Sequence, residues 1–304
     1  MTKEEWHRIC CHVRDQMATH VWPSVTPISE SADGSRAMVW GTGNYVVLRQ
    51  AIYLLTADHV VGCAVGSHLA HLPGPTDDYV ACYNAFLTGP WPLDIALMRL
   101  GNEWNRTTRT AIPASRFAYR YEPADEELLF WLGFPGSTAR RHEPVTDLNR
   151  RYNWFGGPLE SAGVPMLTQA VAASLPNLKF YDPEKHVALH YPAKAIQHAD
   201  QPEVELPNPK GMSGSLLWDT RFLAGMRAGR EWEPDHAKVC GLVWAAHPKP
   251  EVVVATKIEH LRPALLSFLR EEAAYFHWRY RGRPLWEEMV DWDWAEKSIT
   301  DLTA

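Results

Sequence analysis

The 304-residue sequence has no apolar run approaching the ~20 residues that a membrane-spanning helix requires. Near its start, charges at Lys3, Glu4, Glu5, Arg8, Arg14 and Asp15 interrupt any apolar core of signal-peptide type. Cysteine is scarce and odd in number: Cys10, Cys11, Cys63, Cys82 and Cys240. That pattern fits a reducing compartment, so a cytoplasmic location is expected, with the thiols acting as small buried apolar side chains. No Cys/His spacing has zinc-ligand form. Cys10-Cys11, with His7 and His12 beside them, make no such pattern, and no metal site is expected. Excess positive charge is lacking too: 30 Lys and Arg face 36 Asp and Glu, for a net charge of −6. This argues against a general nucleic-acid binder or an anionic-membrane binder. Strong internal repeats and low-complexity stretches are absent. What remains is 46% hydrophobic and 22% charged, which excludes a disordered or collagen-like chain. Proline (23) outnumbers glycine (19), and there are 14 Trp. That mixture suggests short strands and loops, not long helical bundles.

Residues 4–20 read as a helix, with Trp6, Ile9, Cys10, Val13 and Met17 on one face. From Val21 the pattern turns to short β-prone runs: 37–40, 45–48, 52–55, 79–87 and 95–100. Gly41-Thr42-Gly43 reads as a tight hairpin between the first two. Residues 102–127 are polar and irregular. Further strands are expected at 128–132, 150–155, 166–174, 186–191, 214–218, 238–245 and 251–256. This spacing predicts an all-β barrel or sandwich. Residues 258–281 return to helical spacing, Pro284 breaks it, and 285–299 reads as a second helix.

Three segments carry chemistry. Leu54-Leu55-Thr56-Ala57-Asp58-His59 runs a strand into a short turn bearing His59. Leu93-Asp94-Ile95-Ala96-Leu97 sets a carboxylate at the start of an apolar strand. Lys210-Gly211-Met212-Ser213-Gly214-Ser215 sets a serine on a glycine-flanked turn. A Ser hydroxyl is a weak nucleophile and needs an adjacent base. A neutral His takes its proton and returns it to the leaving group. A buried Asp holds the His tautomer and stabilises the imidazolium. Glycine beside the Ser frees the amides of Gly211 and Ser213 to converge on a developing oxyanion.

On these residues the sequence resembles the trypsin/chymotrypsin-like serine proteases, of bacterial cytoplasmic or stress type. The chain order His59, Asp94, Ser213 is that family's order, and Gly41-Thr42-Gly43 and Val239–Val243 agree with its flanking strands. The resemblance covers about residues 24–270. It implies a mainly β fold of two antiparallel six-stranded barrels, the first over 24–120 and the second over 121–257. An N-terminal helix (1–23) and C-terminal helices (258–304) flank them, and 101–127 is the interbarrel linker. It implies a serine endopeptidase without cofactor. The catalytic residues are His59, Asp94 and Ser213, and the oxyanion hole is formed by Gly211 and Ser213. The setting implied is a regulated bacterial stress or anti-phage defence protease. The alternative is a catalytically silent, protease-fold peptide-binding or scaffold module.

There are departures. Asp58 stands where the family has a small residue, and pairing with His59 would misalign the base. The expected cleft strand reads Val243-Trp244-Ala245, without the family's Ser, so Trp244 is expected to fill the pocket. No acid lies at the base of the specificity pocket in 206–210, which predicts an apolar or small P1 residue. The segment 271–304 holds eight acids and four bases, and its Trp278, Trp286, Trp292 and Trp294 read as packing residues or as anchors for a regulatory partner protein.

Overall fold

The computed structural model describes residues 2–31, 38–62, 68–71, 80–82, 84–102, 104, 107, 109–140, 149–154, 157–171, 175, 178–195, 202–283 and 288–303. Cys63, Pro284 and Trp286 lie outside the described residues. Helix α1 (Lys3–Val21) opens on a capping box in which Thr2 and Glu5 satisfy each other's backbone amides. Its stripe of Val13, Met17, Ala18 and Val21 is buried, and it packs on the second barrel.

The first barrel contains β1 (Val25–Ser31), β2 (Met38–Leu48), β3 (Ala51–Thr56), β4 (His68–His71), β5 (Val80–Ala81), β6 (Leu87–Gly89) and β7 (Ile95–Arg99). Helix α2 (Asp58–Gly62) follows β3. The pairing order is β5-β4-β1-β2-β3-β7-β6. The strands β5 and β6, which follow each other in the chain, lie at the two ends of this order and together supply the fifth of six staves. The linker adds β8 (Ile112–Pro113), parallel to β2, and then bridges from Phe117 to Val239 in the second barrel.

The second barrel begins with β9 (Leu129–Gly133). A three-stranded excursion follows: β10 (Ala139–Arg140), β11 (Asn149–Trp154) and β12 (Gly157–Ala162). Next come β13 (Val164–Thr168), β14 (His186–His190), the small pair β15 (Lys194–Ala195) and β16 (Val204–Glu205), then β17 (Leu216–Asp219). Helix α3 (Phe222–Arg227) leads to β18 (Lys238–His247) and β19 (Val252–Lys257). The order β13-β9-β17-β18-β19-β14 is closed by a bridge between Ala170 and Leu189. Each barrel therefore joins its staves in the same sequence: first, second, third, sixth, fifth, fourth. The expected double β-barrel is present.

Helices α4 (Ile258–Tyr280) and α5 (Glu288–Ser298) complete the chain. Helix α4 leaves the second barrel and lands on the first, where Glu272 accepts a hydrogen bond from the Tyr53 hydroxyl at 2.6 Å and pairs with Arg99 at 3.2 Å. The Arg49 amide then donates to the Leu302 carbonyl at 2.9 Å. One core runs from Val13 and Met17 through Val46, Leu97, Phe130 and Trp218 to Leu265 and Leu302. Burying each such side chain contributes roughly 1.5–3 kcal/mol, so the terminal helices are part of the folded body.

The Gly41-Thr42-Gly43 segment does not form a hairpin. It runs through the middle of the single long strand β2, and the reversal comes at Arg49-Gln50. The glycines are there for close approach. A Cβ on Gly41 would lie 2.5 Å from Val60 of α2, and one on Gly43 would lie 2.6 Å from Leu54.

Candidate active site

The serine sits on a loop whose backbone conformation excludes side chains at two points. Gly211 and Gly214 have φ of 96° and 93°. A Cβ on Gly211 would meet the Phe134 carbonyl at 2.5 Å, and one on Gly214 would collide with the Thr42 carbonyl. The loop is tied to the first barrel by buried polar residues of β2. The Thr42 hydroxyl donates to the Gly211 carbonyl at 2.8 Å and accepts from the Phe134 amide at 2.9 Å. The Thr42 amide donates to the Ser213 carbonyl at 2.8 Å. Asn44 Nδ2 donates to the Gly214 carbonyl at 2.6 Å, and the Thr56 hydroxyl donates to the Thr42 carbonyl at 2.8 Å. On the far side the Gly136 amide donates to the Lys210 carbonyl at 2.7 Å, and Gly214 donates to Val243 at 2.7 Å. With the neighbouring carbonyls anchored, the amides of Gly211 and Ser213 donate no hydrogen bond among the described residues.

The base is held as firmly. Strand β3 delivers His59 on α2, and the turn before β7 delivers Asp94. Asp94 Oδ2 lies 2.6 Å from His59 Nδ1, and its Oδ1 accepts the His59 amide at 2.9 Å. Both carboxylate oxygens are thus used on one residue, which sets the ring's position and its direction. Nδ1–H donates to the carboxylate, and Nε2 is left as the acceptor on a ring whose side chain is 43% exposed. Asp94 is buried and has φ of 51°, a left-handed conformation that a non-glycine residue holds only when its surroundings impose it.

Those surroundings come from the second barrel. Thr256 donates to the Leu93 carbonyl at 3.0 Å, and His186 Nε2 donates to the Pro92 carbonyl at 2.7 Å. His186 Nδ1 accepts the Asp182 amide at 3.0 Å, and burial pushes the ring's pKa down, keeping it neutral. Trp91 Nε1 reaches the Phe180 carbonyl at 3.3 Å. Asp58 does not take the place of Asp94: it hydrogen-bonds Thr88, and burial and the Asp94 charge push its carboxyl pKa up.

The Ser213 hydroxyl is the unmatched part. Its Oγ donates to the Trp244 carbonyl at 3.0 Å. Among the described residues no hydrogen bond joins it to His59. That carbonyl is free because the β18–β19 register shifts between Val243 and Ala245, leaving Trp244 outside the ladder. Moving Oγ from Trp244 towards a new acceptor takes one step between staggered χ1 rotamers.

The cleft strand departs from expectation. Val243 acts through its backbone, as the acceptor of Gly214. The Trp244 ring does not fill the pocket; it is buried against His186, with centroids 5.2 Å apart. A cavity of about 420 Å³ beside Ser213 is lined instead by Tyr191, Leu206, Pro207, Pro209, Ala246 and Val252, with Asn208, Lys210, His247 and Glu251 adding polar groups. Glu251 brings an acidic residue to the lining, where 206–210 has none, and it shares that lining with the basic Lys210. It comes from the β18–β19 turn, far from the serine in sequence. Sequence reasoning missed Thr42, Asn44, Thr56, His186 and Thr256; buried polar residues inside apolar strands were the available signal. Among the described residues no cluster of metal-ligand type is present.

No protein-family model matches the chain, and no curated protein matches it. Among solved structures it is similar to the protease domain of MamO from Magnetospirillum magneticum, at 14% identity over 79% of this chain and 94% of that one, with TM-score 0.41. It is also similar to human heparin binding protein, at 13% identity over 78% and 87%, with TM-score 0.43. Tobacco etch virus protease complexed with product gives 11% identity over 78% and 74%, with TM-score 0.39. The fold stated above rests on strand pairing and barrel closure.

Proposed function

We propose that the protein is a serine endopeptidase that works through an acyl-enzyme. The observation that carries this reading is the doubly bonded His59–Asp94 pair together with a serine loop that packs at Gly214 against Thr56 and Ala57, just before His59, and leaves two amides unengaged. Ser213 Oγ turns from Trp244 to His59 Nε2 and attacks the scissile carbonyl as Nε2 takes its proton. The oxyanion forms against the Gly211 and Ser213 amides, where one such donor is worth about 2.7–4 kcal/mol. Asp94 stabilises the imidazolium. The C–N bond then breaks, His59 gives its proton to the leaving amine, and an ester on Ser213 remains. Water attacks that ester with His59 again as base, releasing the acid and restoring the serine.

The cavity beside Ser213 is largely apolar-walled, with the acidic Glu251 and the basic Lys210 both on its lining. Glu251 is the group that would favour a long basic P1 side chain, Arg or Lys, over the small or apolar one expected from 206–210, and Lys210 opposes it. A reducing compartment suits thiols such as the buried Cys240, and we propose a cytoplasmic location.

The second reading, a silent peptide-binding module, is favoured by the Ser213–Trp244 hydrogen bond. Labelling with a fluorophosphonate probe separates the two. The enzyme reading expects covalent label on wild type and none on Ser213→Ala. Equal labelling of both, or none on either together with binding of peptides to wild type, favours the module.

A further inference from the structure

Strands β14 and β19 pair so that His186 lies directly opposite Thr256. Opposed residues on antiparallel strands share one face of the sheet. Both side chains are buried, and both reach across to the first barrel. His186 Nε2 donates to the Pro92 carbonyl at 2.7 Å, and the Thr256 hydroxyl donates to the next carbonyl, Leu93, at 3.0 Å. Two consecutive carbonyls just before Asp94 are gripped by one cross-strand pair. The Leu93 and Asp94 amides turn back to the Pro90 carbonyl at 3.1 and 3.3 Å. The turn closes there, and Asp94 leaves it at its left-handed φ of 51°. A non-glycine residue holds such a conformation only when its surroundings over-determine it.

Two facts single out His186 within the pair. Its ring nitrogens have separate roles: Nδ1 accepts the Asp182 amide at 3.0 Å, so the proton sits on Nε2 and points at Pro92. The ring also lies against Trp244, with centroids 5.2 Å apart, and the Trp244 carbonyl is the one that holds Ser213 Oγ. One side chain touches both the support of Asp94 and the residue that engages the serine.

We propose that His186 is a positioning residue for the His59–Asp94 pair. Through Pro92 it fixes the turn that aims the carboxylate at His59 Nδ1, and through Trp244 it ties that turn to the serine loop. Asp94 keeps the His59 proton on Nδ1 by accepting it, which leaves Nε2 open. A turn released from Pro92 lets the carboxylate drift and frees the imidazole to exchange tautomers. The consequence for turnover rests on the protease reading; the consequence for the His59 ring does not.

The test pairs two substitutions in the full chain. His186→Gln keeps an amide donor in place of Nε2 and gives up the acceptor. His186→Asn keeps an acceptor in place of Nδ1 and gives up the donor to Pro92. Both lose the ring, so the loss of packing on Trp244 is shared, and each strands one buried group. Ring-nitrogen chemical shifts of His59, assigned with His59→Gln, are read at about pH 9, where an ordinary imidazole is neutral. His186→Asn is expected to move the tautomer ratio about tenfold from Nδ1–H towards Nε2–H, and His186→Gln less than about threefold. On a peptide ester, kcat is expected to fall about tenfold in His186→Asn and less than about threefold in His186→Gln, with KM within about twofold in both. Equal falls in kcat mark a merely structural role and overturn the proposal, as does an unmoved tautomer ratio in His186→Asn. Thr256→Val removes the other grip without touching His186 and is expected to shift the ratio the same way; an unmoved ratio there also overturns the proposal. If wild type takes no Ser213-dependent fluorophosphonate label, the protease reading fails, and the tautomer comparison alone decides the role of His186.

Discussion

The two halves of the candidate site are built by opposite logic. The His59–Asp94 half is closed: a buried carboxylate spends both oxygens on one histidine, and nothing more has to move. The Ser213 half has a backbone that is equally rigid but a hydroxyl turned to Trp244. Their supports are exchanged. The Asp94 turn belongs to the first barrel and is held by His186 and Thr256 of the second. The Ser213 loop belongs to the second barrel and is held by Thr42 and Asn44 of the first. Relative displacement of the barrels would thus disturb both halves together. The difference between the halves lies in one side chain, the Ser213 hydroxyl, which is engaged by the Trp244 carbonyl.

Breaking the rigid part of the serine half is the most damaging change. Gly211→Ala forces a Cβ against the Phe134 carbonyl at a left-handed residue and displaces the Gly211 amide. Its kcat on a peptide ester is expected to fall by about 10²–10³ with KM little changed. Thr42→Val keeps the shape of the side chain and removes the hydroxyl shared by Gly211 and Phe134. Two buried groups lose their partner, so urea unfolding is expected to show a loss of about 2–4 kcal/mol, with kcat down at least about tenfold.

The base half is tested through His186→Phe, which strands the Pro92 carbonyl and the Asp182 amide. A stability loss of about 1–3 kcal/mol is expected, with a several-fold smaller fall in kcat than for Gly211→Ala. It has a pH signature as well. Burial depresses the folded-state pKa of His186, so its contribution to stability is complete above the unfolded value near 6.5 and is lost as pH falls below it. Unfolding measured from pH 7 downward is expected to lose stability less steeply in His186→Phe than in wild type. The smallest effect is reserved for Glu251→Gln, which touches neither half. Turnover of apolar-P1 substrates is expected to hold while Arg-P1 turnover falls about fivefold. Unchanged P1 preference would return the pocket to the apolar reading.

Much of this was legible along the chain, because the candidate site residues sit in short local motifs. His59 follows a strand, Asp94 precedes one, and Ser213 lies between glycines. What was not legible is whatever depends on a partner distant in sequence. Gly41-Thr42-Gly43 looks like a turn locally; packing by Val60 and Leu54 makes it the centre of a strand. Trp244 looks like a cleft wall, but a bulge turns its carbonyl to the serine and its ring to His186. Glu251 was invisible as a pocket residue because the β18–β19 turn returns to the serine only after the barrel closes. Asp58 sits next to His59 in the chain, yet helix geometry directs it to Thr88, and Asp94 takes the histidine instead.

By itself the sequence determined the β character of the body, the helical ends, the order of His59, Asp94 and Ser213 along the chain and the glycines that the Ser213 loop demands. Each follows from local periodicity or from a steric limit on φ and ψ, which act within a few residues. Tertiary structure alone decided that the barrels share one strand order, that each supports the other's half of the site, and that the serine rests on Trp244. It also set His186 opposite Thr256, where both reach the turn before Asp94. These depend on hydrogen bonds and packing between residues far apart in the chain, and such contacts exist only once both barrels have closed against one core.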